Sequence, residues 1–264
     1  MLPAMTASAN NSAVEPVGSA PGKLTASGEK DSTNHECSLG NVVADAVRIY
    51  HGSDAAIVCG GDLTGDLPIG VITADELKSV FTKDRALATT TVTVKQLREI
   101  LEIGVSHIIL DESEKIDVIS SSYDGFPQIS GFELYYDASL LPGARVCDIR
   151  IGGESVDLDD DLRYLSLSAS RYMLEGGYGL STVYDITVSD MTLYSVTALH
   201  IENGAPGYSA AERRIHVKGI SAGILEEYIP FQFLPFLVIP FFVAQISRKK
   251  HSEDTSKREN VPWY

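Results

Sequence analysis

Residue types able to do chemistry are scattered through the 264-residue chain, and few sit at productive spacings. The six histidines (His35, His51, His107, His200, His216 and His251) form no HxH, HExxH or HxxxH pair, so no two share a strand or helix face as metal ligands. Asn34-His35-Glu36 is a triplet of ligand type, but it has no DxH partner. Asp157, Asp159, Asp160 and Asp161 form an acidic cluster. EF-hand spacing is absent, and a solvated hairpin turn fits it better than a calcium site. Ser168 and Ser170 lie outside any GxSxG elbow, so a hydrolase nucleophile is not supported. Cys59 stands beside Gly60 and Gly61 with no adjacent cation to make it a thiolate, which favours a small packed thiol. With Cys37 and Cys147 it makes three cysteines and no CxxC, too few for a disulfide framework or a structural zinc.

The elements that would position these residues occupy the middle of the chain. Leu39, Val42, Val43, Ala46, Val47 and Tyr50 fall on one helical face, with Ser38 as N-cap. Ala55–Val58 reads as a buried strand ending in a glycine-rich turn, CGGDLTGDLP. Thr73-Ala-Asp-Glu76 and Thr93-Val-Lys-Gln96 are capping boxes. The first opens a short helix. The second opens one with Leu97, Ile100, Leu101, Val105 and Ile108 on a single face. Ala86–Val92 is a Thr-rich strand between them. Past an acidic loop at 111–127 the pattern turns to β, with strands at Gly131–Tyr136, Val146–Ile151, Tyr164–Ser168 and Arg214–Val217. Ser189-Asp190 caps a helix carrying Leu193, Val196 and Leu199. Single helices between groups of strands predict an α+β domain on a mixed β-sheet with flanking helices.

The two ends differ from this middle. Residues 1–35 are rich in Ser, Ala, Asn, Thr and Gly without apolar periodicity and read as a flexible lead-in to a domain at 36–220. They hold no basic start followed by an apolar run of about 7–15 residues, so either export does not use that route or the true start lies upstream. The stretch 228–247 carries no charge, and its length suits a bilayer core of about 30 Å. Glu226 and Glu227 precede it; Arg248, Lys249 and Lys250 follow. That asymmetry places a 248–264 tail in the cytoplasm and the domain outside. Pro230, Pro235 and Pro240 oppose a regular helix, and the alternative is an apolar, proline-broken tail packed on the domain or the interface. The balance of 21 Lys+Arg against 36 Asp+Glu, net −15, excludes the basic stripe that nucleic acid requires.

Taken in order, these segments resemble the C-terminal domain of the 5′-nucleotidase family. Ser38-Leu-Gly-Asn41 with Val43-Ala-Asp-Ala46 is similar to the opening NLGNLIADA helix. AAIVCGGDLTGDLP (55–68) is similar to the NGGGIRADLP turn, ITADELKSVF (72–81) to the lead into FPFDN, and FPQISGFELYYD (126–137) to FLQVSGLRYTYD. Gly152-Gly-Glu with DLDDDLRY resembles the GGEPLDPDKTY hairpin, and RYMLEGGYGL (171–180) resembles NFLANGGDGY. The resemblance implies a domain that binds the nucleoside, joined in the family to a metallophosphoesterase domain holding two metals and the catalytic pair.

The substrate positions implied by the resemblance are Gly60, Gly61, Thr64, Lys83, Arg85, Gly131, Tyr172, Gly176, Gly177 and Tyr178, and several are altered. Thr64 stands where the family has an arginine; Cys59 and Asp62 replace an Asn and a Gly of the same turn. Glu29 and Thr33 fall where two further arginines are expected. Lys83 replaces one aromatic of the base sandwich, while Tyr172 keeps the other; Arg85 replaces an Asn and Tyr178 an Asp. Loss of the arginine forks removes the cationic field a phosphate needs, and loss of one ring removes about 1–3 kcal/mol of stacking. The retained glycines read as keepers of the fold. Hence no catalytic residue and no metal or other cofactor is expected in this chain. The divalent metals belong to the metallophosphoesterase half. The partners to consider are a separately encoded metallophosphoesterase domain, a nucleoside or sugar-like ligand in an altered cleft, and the membrane through 228–247.

Overall fold

The computed structural model describes residues 16–28, 31–111, 118–119, 121–180, 183, 185–204 and 213–218. In chain order, β1 (Pro16–Ala20) and β2 (Leu24–Thr25) lead to α1 (Ser38–His51) and β3 (Ala55–Cys59). Next come β4 (Asp66–Leu67), β5 (Gly70–Thr73), α2 (Ala74–Ser79), β6 (Ala86–Thr93) and α3 (Val94–Val105). Short strands β7 (Leu110–Asp111) and β8 (Val118–Ile119) precede β9 (Pro127–Ser130), β10 (Glu133–Asp137), β11 (Val146–Ile151) and β12 (Glu154–Ser155). The chain continues through β13 (Tyr164–Ser170), α4 (Arg171–Leu174), β14 (Thr187–Thr192), α5 (Leu193–Glu202) and β15 (Ile215–Lys218).

The main sheet has the order β14-β6-β13-β3-β9. Only β13 and β3 run parallel in it. A second sheet, β12-β11-β10-β15, has one parallel pair, β10 with β15. The class is α+β with mixed sheets, as the alternation of elements predicts. Strand β3, AAIVC, is buried along its whole length. Ala55, Ile57 and Cys59 join a core with α3 and the second sheet, through Leu97, Leu101 and Leu134. Ala56 and Val58 join a core with α1 and α5, through Leu39, Val43 and Leu193. Period-two geometry lets one apolar run feed both.

Both predicted capping boxes are present, at Thr73–Glu76 and Thr93–Gln96. The face predicted for α3 is buried in full. Three local expectations are corrected. The N-cap of α1 is Cys37, whose Sγ accepts from the Gly40 N–H at 3.2 Å, and not Ser38. The Ser38 hydroxyl instead accepts from the Thr25 N–H. Tyr50 is exposed, one residue short of the turn where left-handed Gly52 ends the helix. Ser189 and Asp190 lie in β14; α5 is capped by Thr192, whose side chain accepts from Ser195 N–H.

Of the lead-in, residues 1–15 lie outside the described residues, and the rest is corrected, because 16–28 and 31–35 are largely structured. β1 pairs with β5 and β2 with β4, and Ala20, Leu24 and Ala26 are buried. Small residues are needed there: a Cβ at Gly18 would stand 2.8 Å from Ile201. Close approach at Gly18 helps hold the segment beside buried Leu24, and neither leaves an apolar periodicity. The predicted span 228–247 and tail 248–264 lie outside the described residues. Among the described residues no helix is long and apolar enough to cross a membrane.

Buried Gln128 ties this N-terminal segment to β9. Its amide donates to the Ser32 and His35 carbonyls at 2.9 and 2.7 Å, and its Oε1 accepts from Cys37 N–H at 3.0 Å. Gly40 makes room for it, since a Cβ there would lie 2.3 Å from Gln128 Oε1. Gly40→Ala is therefore expected to cost about 1–3 kcal/mol by displacing a fully bonded side chain. Gly22→Ala, which meets open space, should stay within about 0.5 kcal/mol. Urea unfolding of both variants measures the contrast.

Candidate functional site

The C-terminal end of β3 runs into a tight turn over Gly60–Asp62. This turn is threaded between two other segments. Gly60 N–H donates to Phe126 O at 2.8 Å, Gly61 N–H donates to Asp124 O at 2.9 Å, and the Ser32 hydroxyl donates to Gly60 O. A Cβ at Gly60 would fall 1.9 Å from Ser32 O, and one at Gly61 would fall 2.4 Å from Asp124 Cβ. Both glycines are thus required by backbone approach alone.

Asp62 is fully buried at the end of the turn. Its Oδ1 accepts from the Tyr178 hydroxyl at 2.6 Å and from Arg85 Nε at 3.0 Å. Arg85 also approaches the Tyr178 hydroxyl at 3.3 Å and lies over the Tyr172 ring, 3.9 Å from its centroid. Tyr172 and Tyr178 meet edge to face at 5.1 Å. The Tyr123 hydroxyl donates to the Tyr178 carbonyl, and His107 stacks on Tyr123 at 3.9 Å. Tyr178 holds φ 57°, ψ 19°, between Gly176 and Gly179, which also have positive φ. A bulky side chain in that region costs about 1–2 kcal/mol. The bonds made by its hydroxyl and its carbonyl hold it there.

The electrostatics follow from this one-sided bonding. Burial raises the Asp62 carboxyl above its ordinary value, against the lowering effects of Tyr178 and Arg85. Oδ2 has no partner among the described residues, so pairing at Oδ1 alone does not repay desolvation. Burial alone would lower Arg85; the bonds to Tyr178 and Asp62 outweigh it and hold the guanidinium above its usual value. Burial and the bond to Asp62 raise Tyr178. Cys59 is pushed well up, chiefly by burial and then by Asp62, so it is a packed thiol and not a nucleophile.

Of the predicted site residues, the fold brings together Gly60, Gly61, Arg85, Tyr172, Gly176, Gly177 and Tyr178. Thr64 and Lys83 are exposed; Lys83 contributes only a distant charge to Asp62. Gly131 is apart: it follows Ser130, which pairs with Ala56 near the other end of β3. Glu29 lies outside the described residues, and Thr33 is bonded to Asp31. The members absent from the predicted site, Asp62, Tyr123 and His107, are far from Tyr178 in sequence. Of these the sequence marks Asp62 alone, as a position where the resemblance expects glycine.

Other candidate chemistry resolves into structure. Glu36 accepts from the Arg214 and Ile215 N–H groups and binds Asn41, fastening β15 to α1. Ser168 donates to Ser53, and Ser170 caps α4. Asp157 and Asp160 accept backbone N–H groups of their own turn, and Asp159 pairs with Arg98. Among the described residues no three His, Cys, Asp or Glu side chains gather as a metal would need.

The site sits in a mixed-sheet α+β domain, with a glycine turn packed under an aromatic loop. Residues 16–185 match the family described as 5′-nucleotidase, C-terminal domain, and the chain belongs to that family. It is 28% identical over 153 residues to the trifunctional nucleotide phosphoesterase protein YfkN of Bacillus subtilis (strain 168), covering 55% of this chain and 10% of that protein. The 5′-nucleotidase precursor of Thermus thermophilus shares the fold at TM-score 0.65 and 21% identity, over 77% of this chain and 39% of that one. NAD nucleotidase of Haemophilus influenzae does so at 0.62 and 15%, over 78% and 38%. This chain thus spans a small part of the curated relative and about two fifths of the solved ones.

Arg85→Met should strand the buried Asp62 charge and cost about 3 kcal/mol at neutral pH. An acid whose folded pKa is raised contributes stability below its unfolded pKa, lost as pH rises through the folded value. The Arg85→Met deficit should therefore shrink as pH falls through the carboxylate range. Adding Asp62→Asn should recover most of it. Urea unfolding at neutral and mildly acidic pH reads both variants against the parent chain.

Proposed function

We propose that this chain is a non-catalytic 5′-nucleotidase C-terminal module whose nucleoside cleft is filled by its own side chains. One observation carries the reading: the Arg85 guanidinium lies on the Tyr172 ring and pairs with buried Asp62. Tyr172 is the ring that the family resemblance assigns to base stacking. A base would have to displace a planar cation held by a cation–π contact and a charge-assisted hydrogen bond. An incoming phosphate would meet the Asp62 carboxylate behind that cation.

The module's role is then to pair with a metallophosphoesterase domain, which would supply the metals and the ester cleavage in nucleotide breakdown. The longer relatives support this, since each extends well beyond the part matched here. The apolar stretch 228–247 is read as a membrane anchor from its sequence alone, with the domain on the extracytoplasmic side.

The purified chain, given manganese or magnesium, is expected to release phosphate from AMP and UDP-glucose only at the background rate. Adenosine and uridine at millimolar levels should leave its melting temperature unchanged. Chelator-sensitive turnover would overturn the first expectation, and nucleoside stabilisation lost in Tyr172→Ala would overturn the second.

A further inference from the structure

A second hollow, of about 310 Å³, opens near the opposite end of β3 from Asp62, where the C-terminal half of α1, the β9–β10 turn and the β11–β12 hairpin meet. Arg48, Arg150, Arg213 and Arg214 line it, against only two carboxylates, Asp45 and Glu133. A local excess of cations is unexpected in a chain of net charge −15. Guanidinium groups gathered without counter-charge repel one another.

The carboxylates present are already engaged. Asp45 holds Arg214 through both oxygens, at 3.0 and 2.8 Å. Glu133 accepts from the Tyr135 hydroxyl at 2.7 Å. Arg150 leans on Asp148 at 2.8 Å and lies over the Tyr135 ring at 4.4 Å. Among the described residues Arg48 has neither kind of partner. Its Nε donates to Ser130 Oγ at 2.7 Å, and Ser130 Oγ donates to Asp45 at 2.5 Å. This relay fixes Arg48 beside Arg214 while leaving the rest of its fork without a carboxylate among the described residues. Arg213 is exposed and likewise forms no ion pair among the described residues. Gly152 and Gly153, with φ of 64° and 83°, turn the hairpin at the rim, and neither places a side chain over the hollow.

We propose that this hollow binds a small phosphate-type dianion, either free phosphate or the phosphate group of a monoester, with Arg48 and Arg213 as the donors left available. Arginine forks suit a tetrahedral dianion, and the volume matches the small end of ligand sites, about 300 Å³. The site is separate from the Asp62 cluster, so it stands or falls independently of the function proposed above.

The test is titration calorimetry on the 264-residue chain with inorganic phosphate, and in parallel with glycerol 3-phosphate, at constant ionic strength set by chloride. Saturable binding is expected, weakened about tenfold or more by Arg48→Gln and by Arg213→Gln. Arg98→Gln, on the surface pair with Asp159, should leave it unchanged. Tighter binding of glycerol 3-phosphate would identify a monoester as the occupant, and equal or tighter binding of inorganic phosphate would identify the free anion. Circular dichroism verifies the fold of each variant, and exposed Arg213 supplies a variant that leaves the core intact. Absence of saturable binding by either probe, binding indifferent to both arginine variants, or an equal loss in Arg98→Gln would overturn the proposal.

Discussion

Strand β3 has no solvent-facing side, and the rest of the domain is arranged around that constraint. Its five residues, Ala55 to Cys59, are all buried. Odd positions face the α3 core and even ones the α1–α5 core, so a shift by one residue would exchange both sets at once. Its neighbours on both edges, β13 and β9, complete the backbone bonding of a strand that cannot reach water. With the register fixed, both strand ends are fixed in space, and the Asp62 cluster and the arginine-lined hollow lie toward opposite ends.

At the Asp62 end, three substitutions of the family pattern answer one another. An aspartate in place of a turn glycine would by itself be a buried charge costing several kcal/mol. An arginine in place of Asn and a tyrosine in place of Asp meet it at 3.0 and 2.6 Å. The exchanges make sense only together. The glycines around them are retained for a different reason: Gly60, Gly61 and Gly177 admit neighbouring atoms that any Cβ would strike. Such a glycine signature therefore records chain packing, whether or not a ligand binds.

Local rules made much of the scaffold legible. The capping boxes at Thr73 and Thr93 are short patterns read directly from sequence, and the α3 face follows from its period. The limits of legibility are tertiary. Cys37 caps α1 because Ser38 is drawn to Thr25, thirteen residues away. β1 carries Gly18 because Ile201 stands close, and nothing in a Ser- and Gly-rich stretch announces that. The ion pair of the candidate site spans 23 residues and its tyrosine bond 116. The resemblance marks Asp62, Arg85 and Tyr178 as departures from the family pattern, but does not reveal that the three meet in space.

The two ends of β3 also handle buried charge in opposite ways, and the difference bears on which end retains capacity for a ligand. At Asp62 the carboxylate is deep, and the cation and hydroxyl near it are already committed to that oxygen or to an aromatic face. At Asp45 the carboxylate is committed to Arg214, and a serine relay holds Arg48 in place without neutralising it. A fixed cation with unspent donors is pre-organised for an anion, since little side-chain freedom remains to be lost on binding. A cation locked to a buried acid is not, since any ligand must first replace the acid's own hydrogen bonds. On this physical ground the arginine-lined hollow is better prepared for an anion than the turn that carries Asp62.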